Sequence, residues 1–484
     1  MNYKMIGKLI SMILAIEAVF MLPAVGFSAI DRDFETTRAF LLSILVISVI
    51  AVPLYILCRK SKSAFYAKEG LVCVSAGWIM MCLAGALPFF FSAEIPRFID
   101  ALFEIVSGFT TTGASVLPDV ESLSRGILYW RSFSHWLGGM GVLVFVLAVV
   151  PTSRRSDGFT LHILRAESPG PNVGKLVPRM RTTALILYLI YVCLTLIDFI
   201  FLIIGKMPAF EALCTSLGTA GTGGFGVKND SIASYSPYIQ NVCTVFMLLF
   251  GVNFTCYYLL LLRQLKNVFK DRELRVYIGV IISSTALIAI NIRGLYSTVE
   301  EVLRHSFFQV ASITTTTGFA STDFDKWPSF SKAIILTLMA VGACAGSTGG
   351  GIKWMRVMLL FKTLRRNIKK VIHPQNVQVV KVGKQVVQEK ILENTGAYLS
   401  AYVFILVFSF IVISLDDFSV MTNFSAVLSC MNNIGPGLDI VGPTCNYAGY
   451  SILSKLVLIF DMLAGRLEIF PMLALFSGGL RSRG

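Results

Sequence analysis

The segment Asp100-Ala-Leu-Phe-Glu-Ile-Val-Ser-Gly-Phe-Thr-Thr-Thr-Gly113 returns three more times along the chain, at residues 211–224, 305–318 and 422–435. When the four copies are aligned on their final glycine, a small residue stands six positions before it and a polar residue thirteen positions before it. The small residues are Ser107, Gly218, Ser312 and Ser429, and the polar residues are Asp100, Glu211, His305 and Thr422. Such a recurrence predicts one structural unit that is used four times.

The chain around these segments is too apolar for a soluble protein. Its 484 residues are 55% hydrophobic, 14% are charged and the mean hydropathy is +0.72. This composition excludes a cytoplasmic enzyme, a disordered protein and a fibrous protein. Ten apolar runs are long enough for helices that cross a bilayer, and the pattern is not that of barrel strands. The ten runs are residues 5–27, 39–57, 70–91, 128–150, 184–205, 242–262, 276–292, 333–361, 397–415 and 452–476.

Charge indicates how these spans are oriented. The net charge is +14, and basic residues follow every even-numbered span. Basic residues collect in cytoplasmic loops, so both termini are predicted to be cytoplasmic. We therefore attribute the basic charge to topology and contact with membrane lipid, and predict no nucleic-acid partner. The alternative for residues 5–27 is a cleaved signal peptide, but the run is long for one and a second span follows at once, which favours a retained helix.

Two spans separate each aligned glycine from the next, so all four repeats have the same orientation. The predicted fold is an all-α polytopic membrane protein with about ten transmembrane helices. Two leading helices (residues 1–69) precede four parallel helix–pore-loop–helix repeats around one pseudo-four-fold pore. The repeats are predicted at residues 70–182, 183–275, 276–392 and 393–484, the third with a gating loop and the first and third with long cytoplasmic loops.

Each repeated segment is predicted to enter the membrane as a short helix and return as extended Thr- and Gly-rich backbone. Such backbone is tolerated at membrane depth only inside protein or along a water-filled path. Four copies would aim carbonyl oxygens at a common centre, where they replace the hydration shell of a cation. One copy alone is weak support, because small residues also mark helix contacts in membranes. The candidate carbonyls belong to Thr110, Thr111, Thr112, Gly113, Thr222, Gly223, Gly224, Thr315, Thr316, Thr317, Gly318, Asn433, Ile434 and Gly435.

Six motifs together support a family resemblance. They are Thr-Thr-Thr-Gly-Ala-Ser at 110–115, Thr-Gly-Gly-Phe at 222–225, Thr-Thr-Thr-Thr-Gly-Phe at 314–319, Asn-Asn-Ile-Gly-Pro-Gly at 432–437, Gly-Ser-Thr-Gly-Gly-Gly-Ile-Lys at 346–353 and Gly-Arg-Leu-Glu-Ile-Phe-Pro at 465–471. With them the sequence resembles the Trk/Ktr/HKT superfamily of potassium transporters, and within it the TrkH branch, across nearly the whole chain.

The resemblance implies potassium as the transported ion, a bacterial inner-membrane location and a homodimer with one pore per protomer. It also implies a cytosolic TrkA-type regulatory ring that binds nucleotides. Glycine rather than serine at Gly113 favours potassium over sodium. The second and fourth loops depart from the Thr-rich pattern, so we expect no strict four-fold symmetry and a looser selectivity.

A gate is predicted below the pore loops. Glycine costs about 1 kcal/mol in a helix interior, so Gly346, Ser347, Thr348, Gly349, Gly350 and Gly351 should unwind the eighth span. The alternative is a close helix crossing at small residues. Arg466 lies inside the last span, where charge is costly and usually functional. We expect it to project into the pore as an electrostatic barrier; an Arg466–Glu468 pair is the alternative, although an i, i+2 pair faces different sides of a helix.

Several further expectations follow. Lys353 and Arg356 should anchor the eighth span at the membrane interface. The basic loop at 362–390 and the loop at 152–181 are candidate docking surfaces for the regulatory ring. The main alternative function is a sodium- or proton-coupled potassium symporter, but such transporters often have inverted repeats and acidic residues at the membrane midplane. Parallel repeats and few intramembrane acids favour a pore, and no nucleophile–base constellation indicates an enzyme.

Overall fold

The structure describes residues 3–59, 67–141, 180–375, 378–383 and 385–476. In this computed structural model the described chain is mainly α-helical, with three short 3₁₀ turns and one small antiparallel hairpin, Lys381–Val382 with Gln385–Val386. The helices are Tyr3–Phe20, Leu22–Ile30, Phe34–Cys58, Ala67–Gly85, Leu87–Phe91, Phe98–Phe109, Arg125–Gly139, Met180–Ile204, Ala209–Gly221, Pro237–Phe250, Phe254–Leu261, Leu265–Phe269, Arg272–Ile292, Val299–Thr314, Ser329–Val341, Trp354–Ile372, Glu389–Ile413, Val420–Asn432, Ile452–Arg466 and Phe470–Phe476.

Six stretches of helix are long and apolar enough to cross a membrane. They are Tyr3–Ile30, Phe34–Cys58, Glu69–Phe91, Ala184–Ile204, Arg272–Ile292 and Glu389–Asp416. They correspond to the two leading helices and to the first helix of each repeat. The leading helix Tyr3–Phe20 packs on Phe34–Cys58 and on Ala67–Gly85, so the leading pair supports the first repeat from outside.

The second helix of each repeat is short. These helices, Arg125–Gly139, Pro237–Phe250, Ser329–Val341 and Ile452–Arg466, have 13 to 15 residues each. The stretches predicted as spans at 242–262 and 452–476 are therefore each divided between two helices. In the second repeat the chain bends by 87° before Phe254–Leu261, and in the fourth it turns at residues 467–469 before Phe470–Phe476.

A glycine lies at the bend in the second repeat. A β-carbon on Gly251 would meet the Tyr277 hydroxyl and, at 2.8 Å, the methyl group of Thr315, so the end of this helix packs against the third repeat only because the residue is a glycine. The Asn253 side chain then accepts from the N–H of Thr255 at 2.9 Å and starts the next helix. The predicted interruption of the eighth span is present, because residues 342–353 are not helical. Residues 142–150 of the fourth predicted span lie outside the described residues.

The segment at 362–390 is not an open loop where it is described. The helix Trp354–Ile372 runs through its first part, followed by the hairpin. Arg366 pairs with Glu389 at 2.8 Å, and Lys362 donates to the carbonyl of Lys381. The second candidate docking loop, at 152–181, falls almost entirely outside the described residues.

Candidate ion-conducting site

Four short helices enter the middle of the molecule and end in the same way. We call Phe98–Phe109, Ala209–Gly221, Val299–Thr314 and Val420–Asn432 the pore helices. Two positions before each aligned glycine the backbone is left-handed: φ is 55° at Thr111, 53° at Thr222, 59° at Thr316 and 55° at Asn433. The next N–H in each loop donates to the carbonyl of the small residue of the repeat, at 2.9, 2.9, 2.8 and 3.0 Å. This is a Schellman helix end, and it recurs at the same place in all four loops when they are aligned on Gly113, Gly224, Gly318 and Gly435.

The aligned glycines close the four loops into a ring. A β-carbon built on each glycine would collide with the main-chain carbonyl oxygen that precedes the aligned glycine of the next loop. The colliding pairs are Gly113 with Gly223, Gly224 with Thr317, Gly318 with Ile434 and Gly435 with Thr112. The order returns to its starting point, so the loops lie side by side around one axis. All four glycines also have positive φ, between 79° and 100°.

Four threonine hydroxyls of the first and third loops hydrogen-bond to nearby protein atoms. Thr110 Oγ1 donates to the Val106 carbonyl at 2.6 Å and lies 2.8 Å from Thr112 Oγ1. Thr315 and Thr317 repeat this pair in the third loop, also at 2.8 Å. These hydroxyls therefore stabilise the backbone of the first and third loops.

The fourth loop is held differently. Asn433 Nδ2 donates to Thr112 Oγ1 at 3.0 Å and to the Met462 carbonyl at 2.9 Å. The Tyr447 hydroxyl donates to the Gly435 carbonyl at 2.7 Å. Side-chain support thus differs between repeats although the backbone repeats, in line with the unequal loop sequences.

A buried ion pair behind the first two loops was missed by the sequence analysis. Arg131 Nε lies 2.5 Å from Glu104 Oε1, and both side chains are buried. Glu104 also accepts from the Val116 N–H at 3.0 Å, while Arg131 donates to the Gly226 carbonyl at 3.0 Å and stacks on the Phe225 ring at 3.6 Å. The pair therefore ties the return segment of the first loop to that of the second. The signal in the sequence was that Glu104 and Arg131 each carry a charge within an apolar stretch.

His135 makes a second bridge between these loops. Its Nδ1 lies 2.7 Å from the Gly108 carbonyl, and its Nε2 accepts from the Phe225 N–H at 3.2 Å. One nitrogen donates and the other accepts, which is the pattern of a neutral imidazole. The ring is fully buried and fills the space that a side chain at Gly223 would need.

The polar residues that begin the repeated segments anchor each pore helix. Asp100 pairs with Lys455 at 2.6 Å, Glu211 accepts from the Tyr235 hydroxyl at 2.6 Å, His305 lies 3.0 Å from Ser321, and Thr422 donates to Asp439 at 2.6 Å. Hydrogen bonds from Ser419 and Thr422 hold the pKa of Asp439 below its usual range. The polar residue thus ties the beginning of each pore helix to a neighbouring segment.

Residues 342–353, which we call the intramembrane loop, lie directly against the third and fourth pore loops. The Gly350 N–H donates to Thr316 Oγ1 at 2.6 Å. A β-carbon on Gly349 would be 2.8 Å from the Thr315 carbonyl oxygen. On its other side the loop bonds to the broken helix of the second repeat, where the Phe254 N–H donates to the Gly346 carbonyl at 3.0 Å.

Two cationic side chains bind carbonyls of this region. Arg466 donates to the Thr348 carbonyl at 2.8 Å and to the carbonyls of Gly138 and Gly139 at the end of the first repeat's second helix. Lys353 donates to the carbonyls of Gly349 and, at 3.0 Å, Gly350. Unwound backbone leaves carbonyls without helical partners, and these cations satisfy them.

The predicted interface anchors are therefore wrong. Lys353 is 1% exposed and Arg356 8% exposed, so neither side chain reaches the membrane surface. Arg356 pairs with Glu468 and stacks on the Tyr398 ring at 4.0 Å. Glu468 therefore pairs with Arg356. The alternative from the sequence was a pair between Glu468 and Arg466.

The expectation of few intramembrane acids also needs correction. Glu17, Asp198 and Asp461 are buried within apolar helices. Ser409 donates to Asp461 at 2.7 Å. Each acid stands alone in an apolar run, so none interrupts the hydropathy pattern. The parallel orientation of the repeats remains as the argument against an inverted-repeat symporter.

The fold and the ring define a multi-pass membrane protein in which four parallel pore loops surround one axis. Comparison with known proteins agrees. The family model of TrkH, described as a cation transport protein, matches residues 36–482. The Trk system potassium uptake protein TrkH of Salmonella typhimurium is 36% identical over 99% of both chains, and TrkG of Escherichia coli is 33% identical over 87% of both. The crystal structure of the potassium transporter TrkH from Vibrio parahaemolyticus superimposes with a TM-score of 0.89 at 30% identity, covering all of both chains.

The chain belongs to the TrkH family. The resemblance, the polytopic all-α fold with its repeats, and the assignment to a transport family rather than to enzymes are confirmed.

Replacing a ring glycine should damage transport more than replacing a glycine elsewhere. Alanine at Gly318 would need a φ of 84° and would meet the Ile434 carbonyl; the left-handed region alone costs an L-residue about 1–2 kcal/mol. We expect G318A to lower cation flux into liposomes at least about tenfold, equivalent to about 1.4 kcal/mol. G294A is the matched control, since nothing lies within 4 Å of its added β-carbon. Equal flux in the two variants would contradict the ring.

The buried ion pair should be strongly coupled. Removing one partner of a buried pair costs about 3–5 kcal/mol, and removing both costs less than the sum. We expect E104Q and R131M each to lower the midpoint of thermal unfolding in detergent, and the double variant to recover part of the loss. The exposed pair Arg125–Asp31, at 2.9 Å, is the control and should contribute at most about 1 kcal/mol. An E104Q shift no larger than that of R125M would rule out the role of the pair.

Proposed function

We propose that this protein takes up potassium across the bacterial inner membrane through the ring of pore loops. The observation that carries the proposal is the cyclic contact of each aligned glycine with a carbonyl oxygen of the next loop. Its relatives in Salmonella typhimurium and Escherichia coli are named as potassium uptake proteins of the Trk system, and the Vibrio parahaemolyticus structure is that of a potassium transporter.

Main-chain carbonyls are the ligands in this proposal. Potassium would exchange its hydration shell for carbonyl oxygens of Thr110–Gly113, Thr222–Gly224, Thr315–Gly318 and Asn433–Gly435, the fourteen residues predicted from the sequence. Closely packed glycines allow these oxygens to approach one ion. Tyr447 donates to one such oxygen, at Gly435, from the protein side. The fourth loop therefore offers a weaker field than the others, which supports a selectivity looser than that of a four-fold symmetric filter.

The intramembrane loop, with Gly346, Ser347, Thr348, Gly349, Gly350 and Gly351, is the proposed gate. It lies against Thr316, a residue of the ring, and binds the positive charges of Lys353 and Arg466. Fixed positive charge next to a cation path raises the energy of an ion there. Steric closure and electrostatic repulsion then act at the same point of the ion path.

The assembly and topology follow the family expectation. Both termini are proposed to be cytoplasmic, and the leading pair and four repeats keep the boundaries stated above. The chain is proposed to form a homodimer and to bind a cytosolic TrkA-type nucleotide-binding ring. The helix Trp354–Ile372, which continues from the intramembrane loop and ends in basic residues, supports a docking surface for that ring.

A reversal potential measurement in liposomes tests this function. With potassium, sodium and proton gradients set separately, we expect the reversal potential to follow the potassium gradient and to be unchanged by a proton gradient. Liposomes without protein and liposomes with G318A are the controls. A reversal potential that moves with sodium or proton gradients at fixed potassium would instead establish a coupled symporter.

Removing the charge of Arg466 should open the path. R466A abolishes the donors to the Thr348, Gly138 and Gly139 carbonyls together with the positive charge. We expect potassium flux to rise about tenfold, the equivalent of about 1.4 kcal/mol in barrier height. R275A, at an exposed arginine, is the control. Unchanged or lower flux in monodisperse R466A protein would count against the gate.

A further inference from the structure

A groove opens on the membrane side of the third repeat. It lies between Arg272–Ile292 and Ser329–Val341 and has a volume of about 310 Å³. Its floor is formed by three buried residues, Ser284, Leu338 and Trp354. Ala333, Thr337 and Val341 line its side. We call it the hinge groove. Its walls are largely apolar, and the Thr337 hydroxyl already donates to the Ala333 carbonyl at 2.8 Å.

The hinge groove touches both ends of the intramembrane loop. Val341 is the last residue of the helix before the loop, and Trp354 is the first residue of the helix after it. The Trp354 indole N–H has no hydrogen-bond partner among the residues that the structure describes, so packing is what holds the ring. Because these two residues flank the loop, any loop movement that shifts one relative to the other also changes the groove.

The surroundings identify what fills the groove. Its rim includes Leu287 and Phe330, which are 47% and 52% exposed. The helix that carries Leu287 also exposes Ile282 and Ile290. Leu287, Ile282 and Ile290 belong to Arg272–Ile292, a helix long and apolar enough to cross a bilayer, where hydrocarbon takes the place of water. Atoms that line an empty groove lack packing contacts, and a flexible chain restores them.

We propose that the hinge groove binds the acyl chain of a membrane lipid and that the bound chain holds the intramembrane loop against the pore loops. A ligand shifts a conformational equilibrium only through its preference for one state. The groove is formed in the arrangement in which Gly350 bonds to Thr316, so occupancy favours that arrangement. The effect on transport rests on the proposed function, whereas the binding site does not.

Tryptophan quenching by brominated lipid tests the binding site. The chain has five tryptophans, and subtracting the emission of W354F from that of the unaltered protein isolates Trp354. We expect phosphatidylcholine brominated in mid-chain to quench this signal at least twofold relative to the unbrominated lipid. A333F, which fills the groove, should remove the quenching, whereas A286F should not. Ala286 is exposed on the same helix as Ser284 but does not line the groove.

Two results would overturn the proposal. One is a Trp354 signal that is not quenched, or is quenched equally in A333F and A286F. The other is dissociation of a dimer by A333F, seen by light scattering, together with an unquenched Trp354 signal, which would place a second copy of the chain in the groove.

Flux measurements test the consequence for the gate. We expect A333F to lower potassium flux several-fold and to abolish its dependence on acyl-chain length, while A286F keeps both. Quenching as expected with no potassium flux in any variant would leave the lipid site standing and refute the proposed function. Quenching as expected with equal flux in A333F and A286F would overturn the effect of the lipid on the gate.

Discussion

Backbone that leaves a helix within a membrane must find partners in the protein, because no water is there to supply them. The four pore helices meet this constraint with one device, a left-handed residue whose following N–H returns to the carbonyl of a small residue. The chain then turns at the aligned glycine, where the adjacent loop passes too close for any side chain. Each loop therefore packs directly against the next one. A displacement at one glycine would push on the adjacent loop and so on around the ring. The rest of the molecule holds these four turns in place.

The repeated backbone does not require repeated side chains. In the first two loops a buried Glu104–Arg131 pair joins the return segments, and a neutral His135 joins the first pore helix to the second loop. The third loop shares with the first a pair of bonded threonine hydroxyls, Thr315 with Thr317, but the Thr316 hydroxyl also accepts from the Gly350 N–H. In the fourth, Asn433 reaches across to the first loop. Asparagine tolerates the left-handed region better than most residues, so its use at this position is the local solution where threonine is absent. A loop that lacks the Thr-rich pattern can thus occupy the same place in the ring.

The parts that sequence predicted are those encoded locally. The register of the loops follows from two positions, the small residue and the glycine, because the carbonyl of the small residue accepts from the N–H of the residue directly before the glycine. The break after Gly251 was missed because one glycine hardly changes the hydropathy of a span, and the contacts that need a glycine there are with the third repeat. The prediction for Lys353 failed for a related reason. Its place in the sequence suggests a membrane interface, but the carbonyls that it binds are free to accept only because residues 342–353 are not helical. Pairing of Glu104 with Arg131 likewise depends on helices brought together by the fold.

The ring and the intramembrane loop form one hydrogen-bonded body. Gly350 donates to Thr316, the left-handed residue of the third loop, and Arg466 connects the carbonyl of Thr348 to the end of the first repeat's second helix. Displacing the loop would separate Arg466 from the Thr348 carbonyl but would leave its bonds to Gly138 and Gly139, and Lys353 would move together with its acceptors, which belong to the same loop. The Thr316 hydroxyl and the Thr348 carbonyl would each lose a partner, and a buried polar group without a partner is disfavoured. Entry of water would supply the missing partners, so the cost of moving the loop depends on the same hydrogen bonds that hold it against the ring.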